Sequence, residues 1–314
     1  MYPVTVSAVI PTYNRARHVV EAVASCLAQT YPCHEVIVID DGSTDNTLAM
    51  LEQYGDSVRV VCQSNSGPAV ARTTGVRAAT GDYVAFLDDD DTWLPDKIER
   101  EVEVLIRDSA VATYSDFAYV TASTNRSASP HVSRRSQPAD MWKALLMGNW
   151  LSTSNVVVKR DALLNAGPFD IRFPPCEDWD MWLRIAQNHR WSHVPEVLTL
   201  VLWHDQGISK NVRVIVRSTW KLLDKHTNSR GGSAPIPRRL KRHAYSAAHY
   251  RVAMYFVAGG QYFKAAQEMV LGLCIAPERL LLEPRKIGLF LANLKGRGHR
   301  HGAVSGTDVQ QDRR

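Results

Sequence analysis

The sequence predicts an α/β protein: a Rossmann-like, mainly parallel sheet with helices on both faces, followed by a helical C-terminal extension. Three observations predict it. Apolar runs of strand length alternate with segments of helical periodicity over the first third of the chain. Polar clusters directly follow three of those runs, where open parallel sheets gather their ligands. The charge then changes sign: residues 1–209 carry 17 Lys/Arg against 26 Asp/Glu, a net −9, while residues 210–314 carry 20 against 6, a net +14.

Residues 4–10 form a β-branched run ending at Pro11. Residues 16–28 space Val19, Val20, Val23 and Leu27 as one helical face. Residues 35–39 are a continuous apolar strand closed by Asp40-Asp41-Gly42, and Ser43 or Asp45 is placed to cap a helix over 47–54. A third strand at 58–62 leads to a helix over 68–79, which Gly81 ends. A fourth strand, 83–87, runs into Asp88-Asp89-Asp90-Asp91. Unbroken apolar strands require cover on both faces, which favours parallel pairing. Residues 123–138, rich in Ser, Arg and Pro, read as a mobile loop. A strand at 155–158, helices at 161–166 and 177–187, and a strand at 194–203 follow. After Ser209 the pattern turns helical, with a linker at 228–237. The expected division is 1–210, 211–295 and a tail without fixed structure at 296–314.

Among the 314 residues, 45% are hydrophobic and 22% charged, which excludes wholesale disorder, collagen and coiled coil. The five cysteines are scattered and show no C-x-x-C spacing, so a zinc site or disulfide framework is not expected. A reducing cytosol fits them. The N-terminus lacks a leader pattern and no run of 18 apolar residues occurs, so the expected location is cytoplasmic.

The acidic run at 88–91 carries the most chemistry. Like charges so close need compensation, and a hard divalent cation, Mn2+ or Mg2+, supplies it with substrate phosphates completing the shell. Alternation leaving a strand makes Asp88 and Asp90 the natural pair. A solvated acidic loop is the bland alternative. An EF-hand is disfavoured because Trp93 stands where glycine is needed. Asp40-Asp41-Gly42-Ser43 is either a turn with a helix cap or a carboxylate accepting an N–H from a base edge. Glu177-Asp178-Trp179-Asp180 opens a helix, where acids are either dipole partners or a general base. His204 is either structural or a ligand. Arg72 and Arg77 either steer phosphates or lie on a solvated face. No Walker A loop, G-x-G-x-x-G or G-x-S-x-G is present.

Taken together, residues 6–14, 40–45, 65–81, 83–97 and 177–184 resemble a family 2 glycosyltransferase of the GT-A fold, over about residues 4–209. The resemblance implies transfer of a sugar from a nucleotide-diphosphate donor, a UDP-sugar first, to a hydroxyl of a glycan or lipid-linked acceptor, with inversion. It implies that Pro11, Thr12 and Tyr13 lie along the nucleoside and that Asp41 accepts from the base. It puts the D-x-D on Asp88-Asp89-Asp90, with Asp90 the main metal ligand and Asp88 and Asp89 beside the nucleotide. Asp178 becomes the base, with Glu177 and Trp179 on the acceptor side. Arg72 and His204 fall near the diphosphate, His204 as a further metal ligand. Two departures weaken them: Thr73 stands where the family often has Asn, and Leu202 where it often has Arg.

The basic region at 211–294 mixes aromatic and cationic residues, including the cluster Arg238-Arg239-Leu240-Lys241-Arg242. It is expected either to contact an anionic membrane, peripherally on the inner face, or to pack as a helical cap. No nucleic-acid partner is expected. A non-catalytic sugar-nucleotide binder of the same fold and a nucleotidyltransferase remain as rivals. The first is disfavoured by the intact acids, the second by Pro11-Thr12-Tyr13-Asn14 in place of a glycine-rich phosphate loop.

Overall fold

The computed structural model describes residues 4–121, 129–131, 137–203, 211–228 and 236–278. It divides into two compact units, Met1–Ile236 and Pro237–Arg314. The first unit opens with β1 (Val6–Thr12), α1 (His18–Leu27), β2 (Glu35–Asp40) and α2 (Thr47–Leu51), then β3 (Arg59–Cys62), α3 (Pro68–Ala78) and β4 (Tyr83–Phe86). It continues with β5 (Thr92–Trp93), α4 (Lys97–Asp108), β6 (Ala112–Thr121), β7 (Ser129–His131) and α5 (Met141–Met147). Then come β8 (Val156–Lys159), α6 (Arg160–Ala166), α7 (Glu177–Ala186), β9 (Trp191–Trp203) and α8 (Val212–Asn228).

All nine strands join one sheet in the order β3-β2-β1-β4-β8-β6-β9-β5, with β7 on β6. The first half is parallel, β2 and β4 flanking β1 in register. The second half is mixed: β8 runs antiparallel to both β4 and β6, while β9 is parallel to β6. The expectation of a mainly parallel sheet therefore holds from β3 to β4 and again between β6 and β9, with the antiparallel β8 inserted between the two parallel parts. A continuous apolar run reports cover on both faces, not direction. Val156, Val157 and Val158 are as buried as any parallel strand.

Helices cover both faces, as expected. Ala8, Ile10 and Val38 share a core with Val19, Val23 and Cys26 of α1 and Ile98, Val102 and Leu105 of α4. On the opposite face α3 comes down on Val9 and Ile39. A Cβ on Gly75 would lie 2.2 Å from Val9 Cγ1, so glycine is what lets this helix approach the sheet. On the same face Trp182 of α7 packs against Phe86, Phe169 and Trp191.

The α8 helix groups with the first unit, so the division falls after Ile236 and not at 210. Its burial explains this: Ile215, Leu222 and Leu223 are enclosed, and Ser218 donates to the Pro174 carbonyl at 2.6 Å. The described residues of the second unit form a pair of helices, α9 (Arg238–Ala258) and α10 (Tyr262–Ile275), around Ala253, Ala265 and Met269. The loop expected at 123–138 includes the short β7; its remainder, apart from 137 and 138, and the tail at 296–314 lie outside the described residues.

Candidate active site

Parallel strands end together, so the polar residues that follow β1, β2 and β4 are brought to one edge. Their hydrogen bonds join the three clusters. Thr12 Oγ1 donates to Asp89 Oδ2 at 2.7 Å, and the Asp41 amide donates to the Thr12 carbonyl at 2.9 Å. Asn14, at φ 53°, accepts from the Thr44 amide through Oδ1 at 2.7 Å. Pro11 and Thr12 are buried, whereas the Tyr13 ring is 45% exposed at the mouth of this edge.

Asp41 is engaged by the protein itself. Its Oδ1 accepts from Gln63 Nε2 at 2.6 Å and the Ser66 amide at 2.9 Å, and Oδ2 accepts from the Gly67 amide at 2.7 Å. These bonds fix the turn into α3, and an N–H from a base would be a fourth. Nearby, Asp45 Oδ1 accepts from the Thr47 amide at 3.0 Å, but the N-cap position of α2 is Asn46, so neither of the two expected caps, Ser43 and Asp45, occupies it.

The four acids after β4 take four different partners. Asp88 Oδ1 pairs with Arg72 Nη2 at 2.7 Å, and Asp90 Oδ2 with Arg15 Nη1 at 3.5 Å. Asp89 meets Thr12. Asp91 is buried and accepts from Ser154 Oγ at 2.5 Å and the Leu202 amide at 3.0 Å. Burial pushes the Asp89 carboxyl up to about 7, with the Thr12 bond opposing and the Asp90 charge adding. Burial also raises Asp91 well above its usual value, with Asp88 and Asp90 adding.

Arg72 joins this loop to α7. Its buried guanidinium holds Asp88 with Nη2 and Glu177 Oε1 with Nη1 at 2.8 Å. Burial pulls its pKa down, but Asp88 and Glu177 together push it further up. Arg72 is thus committed to two carboxylates. Glu177 is itself buried, and its Oε2 has no hydrogen-bond partner among the described residues. Asp178, next on the helix, is half-buried. Its Oδ1 accepts from the Trp179 amide at 2.6 Å and its Oδ2 from Asn149 Nδ2 at 3.2 Å. Burial pushes Asp178 up to about 7, Glu177 adding and Arg72 opposing. Trp179, expected on the acceptor side, is buried, and its indole N–H donates to the Leu145 carbonyl of α5 at 2.9 Å. It supports α7 from within.

The donor set suits a hard cation that keeps most of its shell for phosphate and water. Asp88 and Asp90 side chains are 32% and 17% exposed and offer carboxylate oxygens. Among the described residues no cluster of three or more His, Cys, Asp or Glu forms a cage for a metal. His204 lies outside the described residues.

Three participants escaped the sequence reading. Arg15 carried a signal, a cation directly after the first polar cluster. Asn149 carried none, because nothing in one dimension links it to an acid 29 residues away. Ser154, which also accepts from the Asp88 amide at 3.0 Å, is a small residue in a short turn and equally silent.

Comparison with known proteins bears on the family and the fold. The model of Glycosyl transferase family 2 matches residues 7–164. The Escherichia coli UDP-Glc:alpha-D-GlcNAc-diphosphoundecaprenol beta-1,3-glucosyltransferase WfgD is 31% identical over 60% of this chain and 72% of its own. The putative teichuronic acid biosynthesis glycosyltransferase TuaG of Bacillus subtilis is 39% identical over 36% of this chain, a stretch that spans 46% of TuaG. In fold, the mannosyltransferase PcManGT from Pyrobaculum calidifontis, solved with GDP-Man and Mn2+, superposes with a TM-score of 0.62 at 22% identity, covering 93% of this chain and 83% of that one. With a family match over half its length, glycosyltransferase relatives and a GT-A-type sheet, the chain belongs to glycosyl transferase family 2, and it is a glycosyltransferase.

Proposed function

We propose that the chain is an inverting glycosyltransferase that moves a sugar from a nucleoside-diphosphate donor, a UDP-sugar first, to a hydroxyl of a glycan or lipid-linked acceptor. The observation that carries this reading is the Arg72 bridge. It ties the acidic loop after β4 to the first turn of α7, so that Asp178 stands beside the loop where a sugar diphosphate would be held. The donor named for WfgD supports UDP, and its diphosphoundecaprenol-linked acceptor supports the lipid-linked class.

Asp178 accepts the proton of the acceptor hydroxyl. The freed oxygen attacks the anomeric carbon from the face opposite the diphosphate, and the bond to that diphosphate breaks with its electron pair leaving on oxygen. A carboxyl that titrates near 7 suits a general base at neutral pH. One base and one displacement give inversion. Tyr13 offers an exposed ring to the nucleoside, and Arg15 offers a cation near the phosphates. A divalent cation on Asp90 and Asp88, when bound, supplies charge neutralisation for the departing diphosphate. PcManGT, solved with Mn2+, supports that ligand class.

The test is a thermal-shift panel of UDP, GDP, CMP and dTDP sugars, with and without manganese, followed by product analysis. The expected result is stabilisation by one nucleotide class with metal, and nucleoside diphosphate released on acceptor addition. Pyrophosphate released from a nucleoside triphosphate would instead make the protein a nucleotidyltransferase.

A further inference from the structure

The second unit contains a helix that is apolar on two opposite faces. The inner face of α10 places Ala265, Met269 and Gly272 against α9. The helices approach closely there: a Cβ on Gly272 would lie 3.0 Å from His249 Cβ and 3.2 Å from the Ser246 carbonyl. The outer face carries Phe263, Val270, Leu271 and Cys274, spaced i, i+7, i+8 and i+11, with the uncharged Gln267 at i+4 between them. Phe263 is 77% exposed, Val270 58% and Leu271 49%. An apolar stripe on a helix is ordinarily covered, and among the described residues this one is not.

The surrounding charges indicate what covers the other side. No acid lies on the stripe. Glu268 is taken by His249 Nδ1 at 2.6 Å. Lys264 follows Phe263 at the start of the stripe. At its far end Arg242 Nε donates to the Ile275 carbonyl at 2.8 Å, which brings the first turns of α9 alongside. There Arg238 and Arg239 are exposed and form no ion pair among the described residues. The described part of this unit holds six Lys/Arg against two Asp/Glu. A second copy laid face to face would bring these cations together, whereas an anionic lipid surface complements them. No helix of the described residues is long and apolar enough to cross a membrane, so the helix would lie in the interface plane.

We propose that the outer face of α10 is a peripheral docking surface for an anionic bilayer, with Phe263, Val270 and Leu271 entering the acyl boundary and Lys264, Arg238 and Arg239 meeting lipid phosphates. This deepens the reading of a lipid-linked acceptor but is tested without it, because binding to vesicles needs neither donor nor acceptor.

The experiment is flotation of the full chain with phosphatidylcholine vesicles, with and without phosphatidylglycerol, at low and high salt. Binding is expected to need the anionic lipid and to fall with salt. Phe263→Ser and Leu271→Ser should each weaken partition about tenfold, since each removes a large apolar side chain. Arg238→Gln and Arg239→Gln should each weaken it about fivefold and flatten the salt dependence. These side chains are exposed, so circular dichroism should be unchanged. Absence of flotation at low salt, equal flotation without phosphatidylglycerol, or unchanged flotation of Phe263→Ser and Leu271→Ser would overturn the proposal. So would light scattering that shows a dimer dispersed by Phe263→Ser with no vesicle binding.

Discussion

Two acidic segments meet in this protein, and they manage their charge in opposite ways. The loop after β4 gives each of its four aspartates a separate partner: Arg72, Thr12, Arg15 and Ser154. The first turn of α7 shares its cations unevenly. Glu177 takes Arg72, while Asp180 takes Arg184 at 2.9 Å, Lys225 at 2.7 Å and His226 at 2.8 Å. Asp178 forms no ion pair among the described residues and has one neutral side-chain donor. The pKa directions follow. Burial pushes Asp180 up, but His226, Arg184 and Lys225 outweigh it and hold the carboxyl below its usual range. Asp178, two residues earlier, rises to about 7. One helical turn thus carries an anchored carboxylate and a basic one. The contrast teaches that the two carboxyls are set apart by where compensation is withheld, which is what the proposed base at Asp178 requires.

The largest test of that contrast is Asp178→Asn. It keeps the shape and the Trp179 contact but cannot take a proton. Turnover is expected to fall by roughly 10²–10⁴ with nucleotide affinity nearly unchanged, read by initial rates and by calorimetry with the nucleoside diphosphate. In the native enzyme the rate should rise with pH through about 7, as Asp178 loses its proton. Stability runs the other way. A carboxyl whose folded pKa is raised contributes most below its unfolded value and loses that contribution as pH rises through about 7. Near-native turnover in Asp178→Asn would remove the base from this helix.

Next in size is Arg72→Met. It leaves Glu177 buried without a cation and cuts the tie to Asp88. The expected loss is about 3–5 kcal/mol of stability, seen as a lower urea midpoint, together with weaker donor binding. Arg72→Lys should recover little, because a single ammonium does not span two carboxylates as the guanidinium fork does. An unchanged midpoint would show the two acidic segments to be energetically independent.

Much of this arrangement is legible in one dimension, and the reason is periodicity. Strands β1 to β4 and their helices follow hydrophobic spacing within a few residues, and parallel topology then delivers Thr12, Asp41 and Asp88 to one edge. Past β4 the legibility falls. The α4 helix and β6, the strand that β7, β8 and β9 pair with, are not among the elements the sequence predicts, although Ile98, Val102 and Leu105 keep helical spacing. The direction of β8 has no sequence signal, since burial on two faces looks alike either way round. The Arg72 bridge was half legible. Arg72 on its helix reads as steering phosphates or lying on a solvated face, but its span from Asp88 to Glu177 depends on α3 and α7 lying on the same sheet face. The anchoring of Asp180 by Lys225 and His226 was hidden for a similar reason, because the charge change at residue 209 suggested a boundary where α8 in fact packs with the first unit.

The smallest prediction sharpens the comparison most, because it alters the one polar side chain that Asp178 has as a donor among the described residues. Asn149 Nδ2 lies 3.2 Å from Asp178 Oδ2, and a donated hydrogen bond favours the ionised carboxylate. Asn149→Leu removes it and leaves Glu177, Arg72 and Asp88 where they are. The carboxyl should then rise further, by up to about one pH unit if the bond is worth roughly 0.5–1.5 kcal/mol. The acid limb of the pH–rate profile should move up by the same amount while the rate on the alkaline plateau stays within about a factor of three. If the limb stays in place and the plateau falls instead, Asn149 orients Asp178 and does not tune it. If neither changes, the proton acceptor lies elsewhere, and the asymmetry between Asp178 and Asp180 is one of packing and not of chemistry.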